Sequence, residues 1–154
     1  METVHLMTYK GATGLIGPSS GTETILLVDD EEPVQCVVRE MLERRGYRVL
    51  VACDGPAALR ASSEFQGDIQ LLLTDIVMPC MSGLEVAKCV AVERPLIKVL
   101  YMSGYPETVV SLEERMSPGR YFLRKPFLAP ALAGKVREAL DDHPINLKLC
   151  NWIL

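Results

Sequence analysis

A chain of 154 residues, 49% hydrophobic and 23% charged, is one domain of ordinary size with enough apolar side chain for a real core, which excludes disorder throughout. Sixteen basic against twenty acidic residues give a net charge of -4 with no basic run, which argues against nucleic acid as a direct partner. Cys36, Cys53, Cys80, Cys89 and Cys150 form no C-x-x-C pair, Glu2 stands where a secretory signal needs positive charge, and no apolar stretch approaches about 18 residues. The expectation is a soluble cytoplasmic protein without a membrane span, its thiols reduced, buried and inert.

Met1 to Thr22 is rich in Gly, Ser and Thr without sustained periodicity, so residues 1–22 read as a flexible leader or linker. Thr24 to Val28 is a strand-like run ending on Asp29-Asp30. Pro33 then opens a helix whose apolar positions Val34, Val37, Val38, Met41 and Leu42 recur at helical spacing, with Gly46 as its stop. Tyr47 to Ala52 reads as a second strand, and Cys53-Asp54-Gly55-Pro56 turns into a short helix carrying Ala57, Ala58, Leu59 and Ala61.

A third strand ends abruptly in Leu71-Leu72-Leu73-Thr74-Asp75-Ile76-Val77-Met78-Pro79, and a third helix follows Ser82-Gly83 and stops before Pro95. Lys98 to Met102 is the fourth strand, Glu107 to Arg115 a weakly periodic helix, Arg120 to Arg124 the fifth strand, and Pro130 to Leu140 the last helix. Strict β-then-α alternation with short connections implies a doubly wound α/β fold, a parallel five-stranded sheet with helices on both faces, over residues 23–142. Residues 143–154 are a short apolar tail, too small for another domain.

In open sheets of this kind, functional groups collect beyond the carboxyl ends of the strands. Two strands deliver Asp29, Asp30 and Asp75 there, and three clustered carboxylates call for a cation. All-oxygen donors on an open edge suit Mg2+, with Mn2+ able to substitute, better than zinc, for which no Cys/His spacing exists. Alone, each residue has an ordinary explanation: Asp29-Asp30 as helix-start acids, Lys125 as a surface lysine, Ser103 as a turn former.

Taken together, Val28-Asp29-Asp30, Thr74-Asp75-Ile76-Val77-Met78-Pro79 with Met81-Ser82-Gly83, Ser103-Gly104-Tyr105, and Lys125-Pro126-Phe127, each at the carboxyl end of a different strand, resemble the receiver domain of two-component response regulators. Gly21 to Asp30 and Tyr101 to Tyr105 look most like the C-terminal receivers of hybrid histidine kinases. The resemblance implies a flavodoxin-like strand order 2-1-3-4-5. It also implies that Asp75 accepts a phosphoryl group from a histidine kinase or histidine phosphotransfer domain.

On this likeness, Asp30, Asp75 and the Val77 backbone carbonyl ligate Mg2+ directly, while Asp29 acts mainly through its water shell. Lys125 and Ser103 meet phosphoryl oxygens, Ser103 and Phe122 form the switch, and Val77 and Tyr105 tune dephosphorylation. A cis Lys125-Pro126 bond is implied too. The output partners it allows are a downstream protein, adjoining kinase domains or a phosphorylation-dependent homodimer.

The sequence departs from the family pattern at Cys80, where glycine is expected, and at Leu128-Ala129, which gives the last helix no polar N-cap. Two alternatives are a haloacid-dehalogenase-like phosphatase and a receiver-like binding module that is never phosphorylated. The first lacks its acid/base Asp, because position 77 is Val. The intact set of Asp30, Asp75, Ser103 and Lys125 argues against the second.

Overall fold

The computed structural model describes residues 20–105 and 120–142. Most of the expected leader, the helix expected over Glu107 to Arg115 and the tail 143–154 lie outside the described residues. The chain runs β1 (Thr24–Val28), α1 (Glu32–Glu43), β2 (Arg48–Ala52), α2 (Gly55–Glu64), β3 (Leu71–Asp75), α3 (Gly83–Glu93), β4 (Lys98–Ser103), β5 (Arg120–Arg124) and α4 (Ala129–Asp141). The strands pair in parallel in the order β2-β1-β3-β4-β5, the order and fold class expected from the sequence.

Alternation within the strands divides the core. Leu26, Leu72, Val99 and Tyr101 pack with Ala58 of α2 and Val86 and Val90 of α3 on one face. Ile25, Leu27, Leu73 and Leu100 pack with Val38 and Leu42 of α1 and Leu132 and Val136 of α4 on the other. The interior strands β1, β3 and β4 are buried along their whole length, which is why they read as unbroken apolar runs. Each fully buried Leu contributes about 2 kcal/mol by removal from water, so the sheet is a rigid platform for whatever its edge carries.

Helix ends follow the local chemistry. Pro33 sits in the first turn of α1, and Gly46 closes the following turn at φ 96°, a left-handed conformation that glycine adopts without steric cost. Val37, assigned to the apolar face of α1, is 51% exposed; Val38 and Leu42 carry that face. α3 begins on a capping box in which Ser82 Oγ accepts the Glu85 N–H at 3.3 Å and Glu85 Oε2 accepts the Ser82 N–H at 2.7 Å. α4 has no side-chain cap, as Leu128 foretold.

The thiols differ from expectation. Cys36, Cys53, Cys80 and Cys89 are free but exposed, because Cys36 and Cys89 lie on outer helix surfaces and Cys53 and Cys80 in loops.

Arg137, in the last turns of α4, ties the two ends of the described fold together. Its guanidinium donates to the Ser20 carbonyl at 3.1 Å, to Glu23 at 2.8 Å, to Tyr47 Oη at 3.2 Å and to Asp141 at 2.7 Å. Only 17% of its side chain is exposed, and its carboxylate partners Asp141 and Glu23 hold its pKa above the usual arginine range. None of the described helices is long and apolar enough to cross a membrane.

Candidate functional site

β1 and β3 are neighbours, with Val28 in register with Thr74, so the residues that follow each strand meet at one edge. Asp29, Asp30 and Asp75 place carboxylate oxygens within 4.8 Å of one another there. Asp29 and Asp75 are buried and Asp30 is exposed.

The three acids differ in how they are held. Asp29 is fully buried; one of its oxygens accepts Lys125 Nζ at 2.8 Å and the other accepts the Glu31 N–H at 2.9 Å. With both oxygens engaged by protein, Asp29 anchors the site more than it offers a free ligand. Asp75 accepts the Ile76 N–H at 3.0 Å, and Lys125 Nζ lies 3.7 Å from the same oxygen.

Burial pushes the Asp75 carboxyl up to about 6, with the charges of Asp29 and Asp30 adding to the rise against the opposing pull of Lys125 and the Ile76 N–H. Burial alone would lower the Lys125 pKa, but the Asp29 hydrogen bond and the charges of Asp75 and Asp29 outweigh it and leave the ammonium favoured. One ammonium thus stands against three carboxylates. The donor set, all hard oxygens with one acid reluctant to ionise, fits a divalent cation whose charge would relieve that repulsion.

The surrounding backbone is tightly built. Gly83 N–H donates to the Ile76 carbonyl at 2.9 Å, and a Cβ at position 83 would lie 2.0 Å from the Asp75 carbonyl oxygen. Cys80, in the loop between Asp75 and α3, has φ 69°, which accounts for the glycine expected there. The Lys125-Pro126 peptide is cis.

Ser103 ends β4, fully buried, and its Oγ accepts the Tyr105 N–H at 3.1 Å. A hydroxyl that accepts with a lone pair keeps its proton free to donate. Its carbonyl accepts the Lys125 N–H at 2.9 Å, tying the β4 end to the β5 end. Val77 and Tyr105, in the loops beyond β3 and β4, are 46% and 56% exposed. Phe122 stands apart from the acids: it is buried in β5, paired in register with Tyr101, and the two ring centroids are 5.6 Å apart.

Two contacts at this edge carry no signal in the sequence: the close approach of Gly83 to Asp75 and a bond from Gln35 Nε2 to the Asp29 carbonyl. A groove lined by Asp68, Gln70, Glu93 and Arg94 lies at the opposite edge of the sheet, away from the three acids.

A parallel sheet of this order with acids at the carboxyl ends of its strands defines a class, and the family comparison agrees: the response regulator receiver domain model matches residues 25–137, and the chain belongs to that family. It is a signalling domain of the two-component phosphorelay type. Receiver domains act on their own phosphorylation and dephosphorylation and not on a metabolite, which removes the phosphatase alternative. The chain is 35% identical over 124 residues to the sensor kinase CckA of Brucella abortus, covering 80% of this chain and 13% of that protein. It is 28% identical over 120 residues to the transcriptional regulator NtrC of Azospirillum brasilense, covering 78% of this chain and 24% of that one. The crystal structure of the receiver domain from the hybrid histidine kinase CckA superposes with a TM-score of 0.66 at 35% identity, over 77% of this chain and 99% of that one. The chain therefore spans only a fraction of those two curated relatives.

Proposed function

We propose that Asp75 is the phosphoacceptor, taking a phosphoryl group from the phosphohistidine of a histidine kinase or histidine phosphotransfer domain. The observation that carries this reading is the Asp75 carboxylate at the end of a central strand, with an ammonium 3.7 Å from its oxygen and two more carboxylates within 4.8 Å. In the step, an Asp75 oxygen bonds to phosphorus as the P–N bond breaks. The imidazole leaves with the electron pair and takes up a proton. A carboxylate facing an anionic phosphoryl group needs added positive charge and in-line placement.

Asp30, Asp75 and the Val77 backbone carbonyl would hold Mg2+, with Asp29 acting through bound water and as the anchor of Lys125. Bound there, the ion supplies charge that offsets the phosphoryl oxygens. Lys125 turns from Asp29 toward one phosphoryl oxygen, and the Ser103 hydroxyl donates to another. One or two such bonds supply roughly 1.5 to 3 kcal/mol each, enough to shift a two-state population in which Ser103 moves inward and Phe122 repacks. The domain extends over residues 23–142 between a leader and a tail, and works in the cytoplasm. Its output is a protein contact, with a downstream protein, adjoining kinase domains or a second phosphorylated copy.

Beryllofluoride with Mg2+ tests the reading, since the trigonal fluoride mimics an acyl phosphate. A tight complex that Asp75→Asn abolishes is expected. Equal binding by the variant, or phosphotransfer to another residue, would exclude Asp75.

A further inference from the structure

The turn between β1 and α1 carries Asp30, whose exposed carboxylate takes its starting position from the backbone beneath it. No protein hydrogen bond to that carboxylate is seen among the described residues, whereas its neighbour Asp29 is held by Lys125 and the Glu31 N–H. Nor is the helix start capped by a side chain: Glu31 occupies the N-cap position without such a bond. The group that holds the turn comes from one turn further along α1. Gln35, half-buried, donates its side-chain amide to the Asp29 carbonyl, the oxygen of the peptide that joins Asp29 to Asp30.

A carbonyl held by a donor restrains the plane of its peptide, and that plane fixes the N–Cα axis from which the next side chain departs, narrowing the directions its Cα–Cβ bond can take. We infer that Gln35 is a positioning residue for the cation site, aiming the Asp30 carboxylate at the ion by clamping the Asp29–Asp30 peptide. The inference rests on the Mg2+ reading above and assigns it a supporting group. Partners of this kind, one shell out from the ligands, tune metal affinity by orienting those ligands and not by touching the metal. Gln35 bonds the Asp29 backbone and does not touch the reacting atoms. Its loss weakens cation binding, and excess cation restores the chemistry.

The test uses the full chain and Mg2+ alone as the probe. Gln35→Met keeps length and shape but removes the donor. Calorimetric titration of Gln35→Met is expected to show a Mg2+ Kd raised by about tenfold. Labelling by acetyl phosphate is expected to need correspondingly more Mg2+ for half its maximal rate, with the rate at saturating Mg2+ equal to wild type. An unchanged Kd for Gln35→Met, or a rate that stays depressed at saturating Mg2+, overturns the inference. A wild-type chain that binds no Mg2+ overturns the cation reading and this inference together. Wild-type binding with an indifferent Gln35→Met overturns this inference alone.

Discussion

Gly83 lies so close to Asp75 that a methyl group at position 83 would stand 2.0 Å from the Asp75 carbonyl oxygen and 3.1 Å from the Ile76 Cα. Both obstacles are backbone, which cannot rotate away as a side chain can. Gly83→Ala must therefore displace either the start of α3 or the end of β3. A loss of about 2 to 3 kcal/mol is expected from such overpacking, measured by urea unfolding. Beryllofluoride binding should weaken beyond what the stability loss explains, because the displaced segment carries Asp75, the proposed acceptor; unchanged binding would show that the strand end is held from elsewhere.

The raised pKa of Asp75 makes the metal-free domain sensitive to pH in a definite direction. With the native value near 6 and the unfolded value near 3.8, the native state keeps a proton between about pH 4 and 6 that the unfolded chain has lost, so stability falls as pH rises through that window. Asp75→Asn removes the group. In EDTA the variant should be more stable than wild type at pH 7.5 by roughly 1 to 3 kcal/mol, the difference shrinking toward pH 4. Equal stability at both pH values would mean that Asp75 ionises freely in the folded chain.

Cys80 bears a left-handed backbone without glycine's freedom. Cys80→Gly should stabilise the domain by about 1 kcal/mol, whereas Cys80→Ala, which keeps a Cβ, should not. Thermal unfolding of the two variants side by side separates backbone strain from any effect of losing the thiol. A gain shared by both variants would place the cause in the sulfur.

Val77 and Tyr105 are exposed in the loops beyond β3 and β4, and on the proposed reading they flank the approach of water to the phosphorylated Asp75. An apolar side chain offers no hydrogen bond to hold an attacking water in line, and a large ring screens the phosphoryl group. Slow self-dephosphorylation is expected. The double variant Val77→Asn with Tyr105→Glu should lose phosphate about tenfold faster, equivalent to about 1.4 kcal/mol off the barrier. A phosphate-release time course at fixed Mg2+ decides it, and no acceleration would show that water access is governed by other groups.

The strands and the acids at their ends were readable in the sequence because β1 and β3 are buried on both faces and stop on carboxylates, so hydropathy and chemistry change at the same residue. Cys80 was readable as a departure only through the family resemblance, which puts glycine where this turn takes a left-handed backbone. The exposure of the cysteines was not readable, since cysteine is a small hydrophobe whose placement depends on which helix face or loop it occupies. Val37 misled similarly, falling within helical spacing of the core yet just off its edge. Gln35 and Gly83 act through contacts set by how the chain turns from a strand end into the following helix, the first by a polar side chain that reads as solvated and the second by the lack of one.

The Arg137 clamp has a consequence for how the domain sits in a longer polypeptide. One guanidinium grips Ser20 and Glu23 on the way into the first strand and Asp141 at the end of the last helix, so entry and exit lie side by side. Tension applied between residues 20 and 142 would act on these bonds before it reached the sheet, and the acidic edge, at the far ends of the strands, would be mechanically insulated. The same adjacency makes the fold suited to circular permutation: a short linker joining 142 to 20 should leave the β3 end undisturbed and free new termini elsewhere.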